Sequence, residues 1–217
     1  MPVAVLIPTF QRAHRVADIT ANVLDSTEHA NVYFVCERDD KETISQVVRT
    51  VGANLIVNRC HRNYAGAINT GVLETDEPYV FAGADDLRFH EGWFETAVKL
   101  MRDGVEVVGS NDLGNPDVLA GRHATHYLVL RGYALRGVVD GQGIMLHEGY
   151  NHNWVDTEFV QTAKARGVFM PCLESVVEHL HYAWHKAELD STYRKGMAKE
   201  SVDANLYRER EHLWTMR

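Results

Sequence analysis

Short apolar runs alternate with amphipathic stretches through the first eighty residues of the chain. Residues 3–7 (VAVLI) form a continuous apolar run, which is typical of a strand buried on both faces of a sheet. Val16, Ile19 and Val23 follow at spacings of three and four, which predicts a helix. The chain is therefore predicted to open with one strand and one helix.

The same alternation continues to residue 82. Asp40 is a suitable N-cap for a helix in which four apolar residues share one face: Ile44, Val47, Val48 and Val51. The remaining elements predicted in this half are strands over residues 31–37, 53–57 and 78–82 and a helical stretch over residues 63–74. This βαβαβαβ order predicts an α/β fold with a Rossmann-like, mostly parallel central sheet and helices on both faces.

Polar residues stand at the carboxyl ends of these predicted strands. They are Thr9, Glu37, Asn58 and Asp85, one after each strand. Ligands of open parallel sheets bind outside the carboxyl ends of the strands. We therefore expect the functional site at this edge.

The second half of the chain has a less regular pattern. It is predicted to contain helices near residues 93–101 and 156–166, strands near residues 105–110 and 126–130, and one or two strands over residues 168–181. No repeat or linker divides the sequence. The prediction is a single domain over residues 1–217, with a first half over 1–103 and a second half over 104–217.

Composition narrows the class of protein. The chain has 22 Lys and Arg against 30 Asp and Glu, a net charge of −8, which argues against a surface that grips nucleic acid throughout. No apolar run approaches the roughly 20 residues of a membrane span. The apolar start lacks a basic segment and is broken by Pro8, so it predicts a strand rather than a signal peptide. Three widely spaced cysteines fit a reducing compartment, and we expect a cytoplasmic protein.

Two adjacent carboxylates, Asp85 and Asp86, follow the fourth predicted strand. Mg²⁺ and Mn²⁺ prefer oxygen ligands, and enzymes that handle phosphates commonly hold these ions with one or two carboxylates plus the substrate. Taken alone, an acidic pair after a strand is more often a turn or a helix cap. The motifs around the pair decide between these interpretations.

Four motifs occur in a fixed order along the first half: residues 7–12 (IPTFQR), 35–40 (VCERDD), 63–71 (NYAGAINTG) and 83–86 (GADD). In this order they resemble the motifs of the family 2 glycosyltransferases, including compact bacterial and phage members. The resemblance implies the GT-A nucleotide-diphospho-sugar transferase fold, with the donor bound by residues 1–103 and the acceptor by residues 104–217.

The resemblance also implies which residues bind the nucleotide sugar. The opening motif lines the nucleotide, an acidic residue of the second motif reads the base, and the third motif abuts the diphosphate. The implied donor-binding residues are Pro8, Thr9, Phe10, Arg12, Glu37, Asp39, Asn63, Asn69 and Asp85. The tail segment 190–195 (DSTYRK) resembles that of small phage-type relatives, which implies that Tyr193 and Lys195 lie near the diphosphate.

The cation implied by the resemblance is Mn²⁺ or Mg²⁺. Many relatives carry Asp where Gly83 stands, but the last carboxylate of the motif is their usual metal ligand, and Asp86 fills that position. Asp85 is then expected to meet sugar or ribose hydroxyls. If residues 178–181 are a strand, His179 and His181 share a face. Relatives keep a metal-ligating histidine at this stage, and we expect His179 ahead of His181.

An acidic segment in the second half supplies the expected catalytic base. Residues 153–159 (NWVDTEF) resemble the Glu-Asp segment of the family. Inverting transfer needs a carboxylate that takes the proton of the acceptor hydroxyl, and Asp156 is the candidate, with Glu158 as the second choice. The alternative is that both carboxylates only favour a helix N-terminus through its dipole.

The expectation is a metal-dependent inverting glycosyltransferase that moves a sugar, with a UDP-sugar favoured as donor, to a hydroxyl acceptor. Two alternatives stay open: a nucleotidyltransferase, although residues 8–12 lack the glycine-rich loop of that class, and a non-catalytic nucleotide- or carbohydrate-binding module. The acceptor is open among polysaccharide, lipid-linked sugar, protein and modified DNA, and the negative charge makes DNA less favoured.

Overall fold

A computed structural model describes residues 1–189 and 191–215, and the side chains of Ser191, Thr192 and Lys195 lie outside this description. Eight strands of the described residues form one sheet with the order β3-β2-β1-β4-β7-β6-β8-β5. The strands are β1 (Val3–Thr9), β2 (Ala30–Cys36), β3 (Ala53–Val57), β4 (Tyr79–Ala82), β5 (Leu87–Phe89), β6 (Val107–Asn111), β7 (Tyr127–Leu130) and β8 (Phe169–His179). The sheet positions of β1 to β4 confirm the predicted βαβαβαβ half.

Parallel pairing dominates the first half, and antiparallel pairing enters with the second. β1 pairs in parallel with β2 and β4, and β2 pairs in parallel with β3. β7 runs antiparallel to both β4 and β6, whereas β6 and β8 are parallel. The antiparallel β7 places its start beside the carboxyl end of β4, so a second-half segment joins the predicted ligand edge.

Alternate residues of β1 face two different hydrophobic cores. Val3, Val5 and Ile7 belong to one buried cluster, and Ala4 and Leu6 belong to another. Side chains of successive strand residues point to opposite faces, so both faces of the sheet are covered. This explains why residues 3–7 are continuously apolar and confirms the prediction of helices on both faces.

The helices lie between the strands and form the carboxyl-terminal segment. They are α1 (Val16–Ser26), α2 (Lys41–Arg49), α3 (Tyr64–Glu74), α4 (Trp93–Val98), α5 (Pro116–Leu119), α6 (Arg131–Ala134), α7 (Val155–Ala165), α8 (Ser191–Met197), α9 (Glu200–Arg210) and α10 (His212–Thr215). Two 3₁₀ turns cover Ala13–Arg15 and Tyr182–Trp184. Within the described ranges, no helix combines the length and the apolar character that crossing a bilayer requires.

The apolar stripe predicted on α2 is only half buried. Val47 is fully buried and Ile44 packs against the core, but Val48 and Val51 are 69% and 94% exposed. The helix ends at Arg49, so Val51 falls in the following turn. α2 packs beside β3, which is the edge strand, and only a narrow stripe of the helix reaches the core there.

Residues 168–181, predicted as one or two strands, contain the single long strand β8, which ends at His179. The pairing of β8 with β6 shifts its register between Ser110 and Asn111. Beyond this irregularity β8 pairs with the short strand β5, and Leu87 lies opposite His179. The register therefore brings the end of β8 next to the acidic pair that precedes β5.

Candidate active site

A cleft opens at the carboxyl ends of β1, β2 and β4. Its volume of about 1060 Å³ is at the upper end of the roughly 300–1,000 Å³ common for small-molecule sites. Eleven of the residues expected from the sequence line it: Pro8, Thr9, Phe10, Arg12, Glu37, Asn63, Asp85, Asp86, Asp156, His179 and His181. The fold thus gathers residues from both halves of the chain at the predicted edge.

Asp85 organises the loop that follows β1. Its two carboxylate oxygens accept hydrogen bonds from the Arg12 guanidinium at 2.5 Å and from the Thr9 hydroxyl at 2.7 Å. The Asp85 and Arg12 side chains are both only 7% exposed, so this is a buried ion pair. Both oxygens of Asp85 have protein partners, and this indicates that Asp85 positions Arg12 in addition to any contact with a sugar.

Asp40 ties the same loop to the start of α2. One carboxylate oxygen accepts a hydrogen bond from the Thr43 amide and caps the helix, as the sequence predicted. The other accepts the Gln11 amide at 2.6 Å. Gln11 has a φ of 58°, a left-handed conformation that costs energy for a non-glycine residue. The loop between β1 and α1 is therefore held in one shape by two buried carboxylates.

Asp86 and His179 face each other across the cleft floor. The Asp86 Oδ2 atom lies 3.3 Å from His179 Nε2 and accepts a 2.7 Å hydrogen bond from the Tyr193 hydroxyl. Burial opposes ionisation of Asp86, but the hydrogen bonds and charge of its partners, His179 first, hold its pKa well below the usual value. Asp86 is thus a buried, ionised carboxylate beside an imidazole nitrogen.

The position at which many relatives carry an additional Asp has no room for a side chain in this fold. The Gly83 amide donates to the Leu6 carbonyl at 2.9 Å, which extends the pairing of β4 with β1. A Cβ atom at Gly83 would lie 2.9 Å from that same carbonyl oxygen, closer than real Cβ contacts. Close backbone approach therefore accounts for glycine here.

Two further histidines stand near His179. The His181 ring lies 4.8 Å from the His179 ring, and its Nδ1 accepts the Ala183 amide at the start of a 3₁₀ turn. β8 ends before His181, so the two histidines are not neighbours on one strand face, although both line the cleft. His126, just before β7, packs edge-on against His179 with ring centroids 5.1 Å apart. Of these three histidines, only His179 has a direct contact with Asp86 in the described part of the chain.

Asp156 lies in the first turn of α7 and lines the cleft. One carboxylate oxygen accepts the Thr157 amide at 2.8 Å, and the other lies 3.3 Å from His123 Nε2. Burial would raise the pKa of Asp156, but the His123 hydrogen bond and charge keep it below its usual value. The pKa of His123 is raised, because Asp156 outweighs the effect of burial. Asp156 and His123 therefore form a coupled pair facing the cleft.

Three expected site residues lie outside the cleft. Asp39 is on the surface, where both of its oxygens bind the Arg62 guanidinium at 2.8 Å. Asn69 is fully buried, and its side chain forms hydrogen bonds with the backbone of Met145 and Leu146. It therefore holds the loop that contains these two residues. These two side chains are committed to structural contacts that hold neighbouring loops.

Glu158, the second choice as base, is also turned away from the cleft. Its oxygens bind the Arg210 guanidinium at 2.7 and 2.8 Å and accept the Tyr150 hydroxyl at 2.7 Å. The carboxylate is buried and anchors α9 to α7. This placement corrects the expectation for Glu158, because α7 turns residues 156 and 158 to different sides.

A carboxylate of the carboxyl-terminal segment fixes the loop in front of α7. Asp203 is completely buried and accepts hydrogen bonds from the backbone amides of Asn151, His152 and Asn153 and from the Asn151 side chain, at 2.8–2.9 Å. All three loop residues line the cleft. Through Asp203, helix α9 therefore shapes the cleft wall beside Asp156, and Glu200 at the start of the helix lines the cleft itself.

Several cleft residues carry no signal that identifies them in the sequence. Tyr64, His123 and His126 line the cleft, but each looks like an ordinary polar residue in a loop or at the start of an element. Tyr193, expected from the tail resemblance, contacts Asp86 and lies with its ring 5.0 Å from the Arg12 guanidinium carbon. His123 and His126 reach the cleft because β7 runs antiparallel beside β4, and Tyr193 reaches it through the path of the carboxyl-terminal segment.

Comparisons with known proteins show the family and the fold of the chain. Residues 4–169 match the family model for glycosyl transferase family 2. The fold resembles mannosyltransferase PcManGT from Pyrobaculum calidifontis in complex with GDP-Man and Mn²⁺, with a TM-score of 0.67 and 18% identity. That match covers 95% of this chain, which spans only 64% of the mannosyltransferase. A search of curated proteins gives no match.

A second solved fold is similar over most of its length. It is glucosyl-3-phosphoglycerate synthase from Mycobacterium tuberculosis in complex with Mn²⁺, UDP-glucose and phosphoglyceric acid, with a TM-score of 0.62 and 13% identity, covering 94% of this chain and 80% of that one. The same enzyme with Mg²⁺ and UDP matches with a TM-score of 0.62 and 13% identity, covering 93% and 79% of the two chains. With the family model spanning residues 4–169, the chain belongs to glycosyl transferase family 2.

Proposed function

We propose that the protein transfers a sugar from a nucleotide-diphosphate donor to a hydroxyl acceptor, with a divalent cation and with inversion at the anomeric carbon. The observation that carries the proposal is the presence in one cleft of the Asp86–His179 pair, the loop held by Asp85, and the Asp156 carboxylate. These three features supply a cation site, a donor site and a base.

The Asp86–His179 pair fits Mn²⁺ or Mg²⁺. Two ligands on one such ion, each roughly 2.1 Å from it, lie roughly 3 Å apart at a right angle, and the two atoms are 3.3 Å apart. No group of three or more His, Cys, Asp or Glu in the described residues could hold an ion unaided. This suits a cation whose remaining ligands come from substrate phosphates and water. When bound, the cation neutralises charge that develops on the leaving diphosphate.

The donor nucleotide is assigned to the loop after β1 and to Glu37. Arg12 presents a guanidinium that its partner Asp85 orients, which suits a phosphate oxygen. Glu37 lines the cleft, and one of its carboxylate oxygens accepts a hydrogen bond from the Asn58 side-chain amide at 2.7 Å, whereas Asp39 points away. The proposal therefore gives the base-reading role to Glu37, and a UDP-sugar stays the favoured donor.

Asp156 is assigned as the base. The acceptor hydroxyl oxygen forms a bond to the anomeric carbon, the bond from that carbon to the diphosphate oxygen breaks, and its electron pair stays on the diphosphate. The hydroxyl proton passes to the Asp156 carboxylate as the new bond forms. Because its pKa is below the usual value, Asp156 is ionised at neutral pH and ready to accept this proton.

The decisive experiment mixes the protein with Mn²⁺ and either UDP-glucose or GDP-mannose, and follows thermal stability and release of UDP or GDP. Binding to the folded state raises stability by about 2.7 kcal/mol at 100 times Kd. We expect a Mn²⁺-dependent shift and slow donor hydrolysis. Binding without hydrolysis would favour a binding module, and release of pyrophosphate from a nucleoside triphosphate would favour a nucleotidyltransferase.

The matched variants are Asp86→Asn and Asp39→Asn. Both remove one carboxylate charge, but only Asp86 faces His179 in the cleft. Asp86→Asn is expected to abolish the Mn²⁺-dependent part of nucleotide binding, and Asp39→Asn to keep it. Equal behaviour of the two variants would contradict the cation site.

A further inference from the structure

Besides the Trp184 indole nitrogen, two buried polar atoms in the cleft lack a hydrogen-bond partner among the described residues. They are His126 Nε2 and the Tyr64 hydroxyl, and both residues line the cleft. Leaving such a group unsatisfied costs about 1–3 kcal/mol, and exceptions of this kind call for an explanation in terms of function or strain. A ligand in the cleft that bonds these atoms would remove the cost.

His126 offers an acceptor of fixed direction. The residue is 4% exposed, and its Nδ1 lies 3.0 Å from the Ala82 carbonyl oxygen at the end of β4. A carbonyl only accepts, so Nδ1 carries the hydrogen, and in the neutral ring Nε2 holds a lone pair. The backbone of β4 therefore leaves His126 needing a donor such as a hydroxyl.

Tyr64 offers a hydroxyl that can both donate and accept. It is the first residue of α3, directly after the Asn63 cap, and its ring packs against the hydrophobic cluster that contains Ala4 and Leu6. The cap fixes the first turn of the helix, because the Asn63 side chain accepts the Gly66 amide at 2.8 Å. Tyr64 thus reaches the cleft from a rigid element.

Tyr64 and His126 both interact electrostatically with Asp86 and with Asp156. The charges of Asp156 and Asp86, after burial, raise the pKa of Tyr64. His126 interacts with the charge of Asp86 and, from the other side, with that of Asp156. In the proposed function, the donor diphosphate lies at Asp86 and the acceptor hydroxyl at Asp156. The transferred sugar lies between the diphosphate and the acceptor, and therefore near Tyr64 and His126.

We propose that His126 Nε2 and the Tyr64 hydroxyl bind hydroxyl groups of the transferred sugar and select the donor by its hydroxyl pattern. This inference rests on the proposed function and assigns the sugar subsite within it. A site built to bond a substrate hydroxyl discriminates strongly against an analogue without it, because the buried partner is then left unpaired. The pair would therefore set which sugar is accepted.

The test uses Tyr64→Phe and His126→Asn. Tyr64→Phe removes only the unpartnered hydroxyl, and the Asn amide can keep the bond to the Ala82 carbonyl while removing the Nε2 acceptor. The matched control is Tyr133→Phe, because it also removes one buried tyrosine hydroxyl, but one that lies outside the cleft. Dissociation constants are measured calorimetrically with Mn²⁺ for UDP-glucose, GDP-mannose, UDP and GDP.

The two cleft variants are expected to bind UDP and GDP as the wild type does, within about twofold, and to bind the better nucleotide sugar about tenfold more weakly. Tyr133→Phe should match the wild type throughout. Unchanged affinity for both nucleotide sugars, or an equal loss for the sugar-free nucleotides, would overturn the assignment. Failure of the wild type to bind UDP or GDP with Mn²⁺ is a different result, which refutes the proposed function itself.

Discussion

Replacing Asp85 by Asn tests the buried ion pair that supports the donor loop. The Asp85 Oδ1 atom lies 2.5 Å from the Arg12 Nη1 atom, and each side chain is 7% exposed. The substitution keeps the shape of the side chain and an oxygen that can accept the Thr9 hydroxyl. It removes the charge, so the Arg12 guanidinium is left buried beside a neutral amide.

The expected cost follows from the burial of the pair. Removing one partner of a buried ion pair costs about 3–5 kcal/mol, because the other charge is left uncompensated. The Tyr193 ring lies 5.0 Å from the Arg12 guanidinium carbon and still interacts with the cation, which favours the lower end. At about 2–4 °C per kcal/mol for a chain of this size, we expect Tm to fall by roughly 6–12 °C.

The assay is thermal and urea unfolding beside a control in an exposed ion pair. Glu74→Gln breaks the 2.6 Å contact with Arg59, whose side chain is 69% exposed, and should cost less than about 1 kcal/mol. Adding Arg12→Gln to Asp85→Asn removes the buried positive charge as well and should recover part of the loss. A fall in Tm for Asp85→Asn no larger than that for Glu74→Gln would refute the reasoning.

Three further predictions follow from single contacts. His123→Gln should lower stability between pH 3.8 and 6.5, where a depressed Asp156 pKa and a raised His123 pKa both stabilise the wild type. This difference should shrink as the pH rises through the folded His123 pKa, as urea unfolding at several pH values would show. Gly83→Asp should cost about 1–3 kcal/mol by thermal unfolding, because Cβ meets the Leu6 carbonyl oxygen at 2.9 Å; unchanged Tm would contradict this. Asp203→Asn should cost at least about 3 kcal/mol, since it disturbs four hydrogen bonds to the 151–153 loop, and hydrogen exchange should show that loop opening first.

Much of the first half could be predicted because local pattern and tertiary role agree there. The strand over residues 53–57 has the predicted bounds, and the cap at Asp40 forms as expected. Strands buried on both faces are continuously apolar, and such runs stand out in any sequence. The stripe on α2 was wrong for Val48 and Val51, because the sequence does not show that this helix sits at the edge of the sheet.

Some residues of the candidate site could likewise be predicted from the sequence, and others could not. The motif order predicts the loop after β1, the acidic pair and the segment of Asp156, which all line the cleft, since each is a local signal at the end or start of an element. It does not separate Asp156 from Glu158, because two acidic residues in one helix turn look alike until Arg210 from the distant tail binds one of them. Long-range contacts make that distinction.

The sequence by itself determined the alternation of strands and helices, the edge of the sheet at which the cleft opens and the family to which the chain belongs. The tertiary structure decided which side chains meet: β7 runs antiparallel beside β4 and brings His126 to the cleft, and β8 places His179 against Asp86. Local pattern fixes elements because burial of each element repeats with its own period. Contacts between residues about 90 positions apart, such as Asp86 and His179, depend on strand register and on the path of the carboxyl-terminal segment. The hydrophobic periodicity of a single segment does not show either of these.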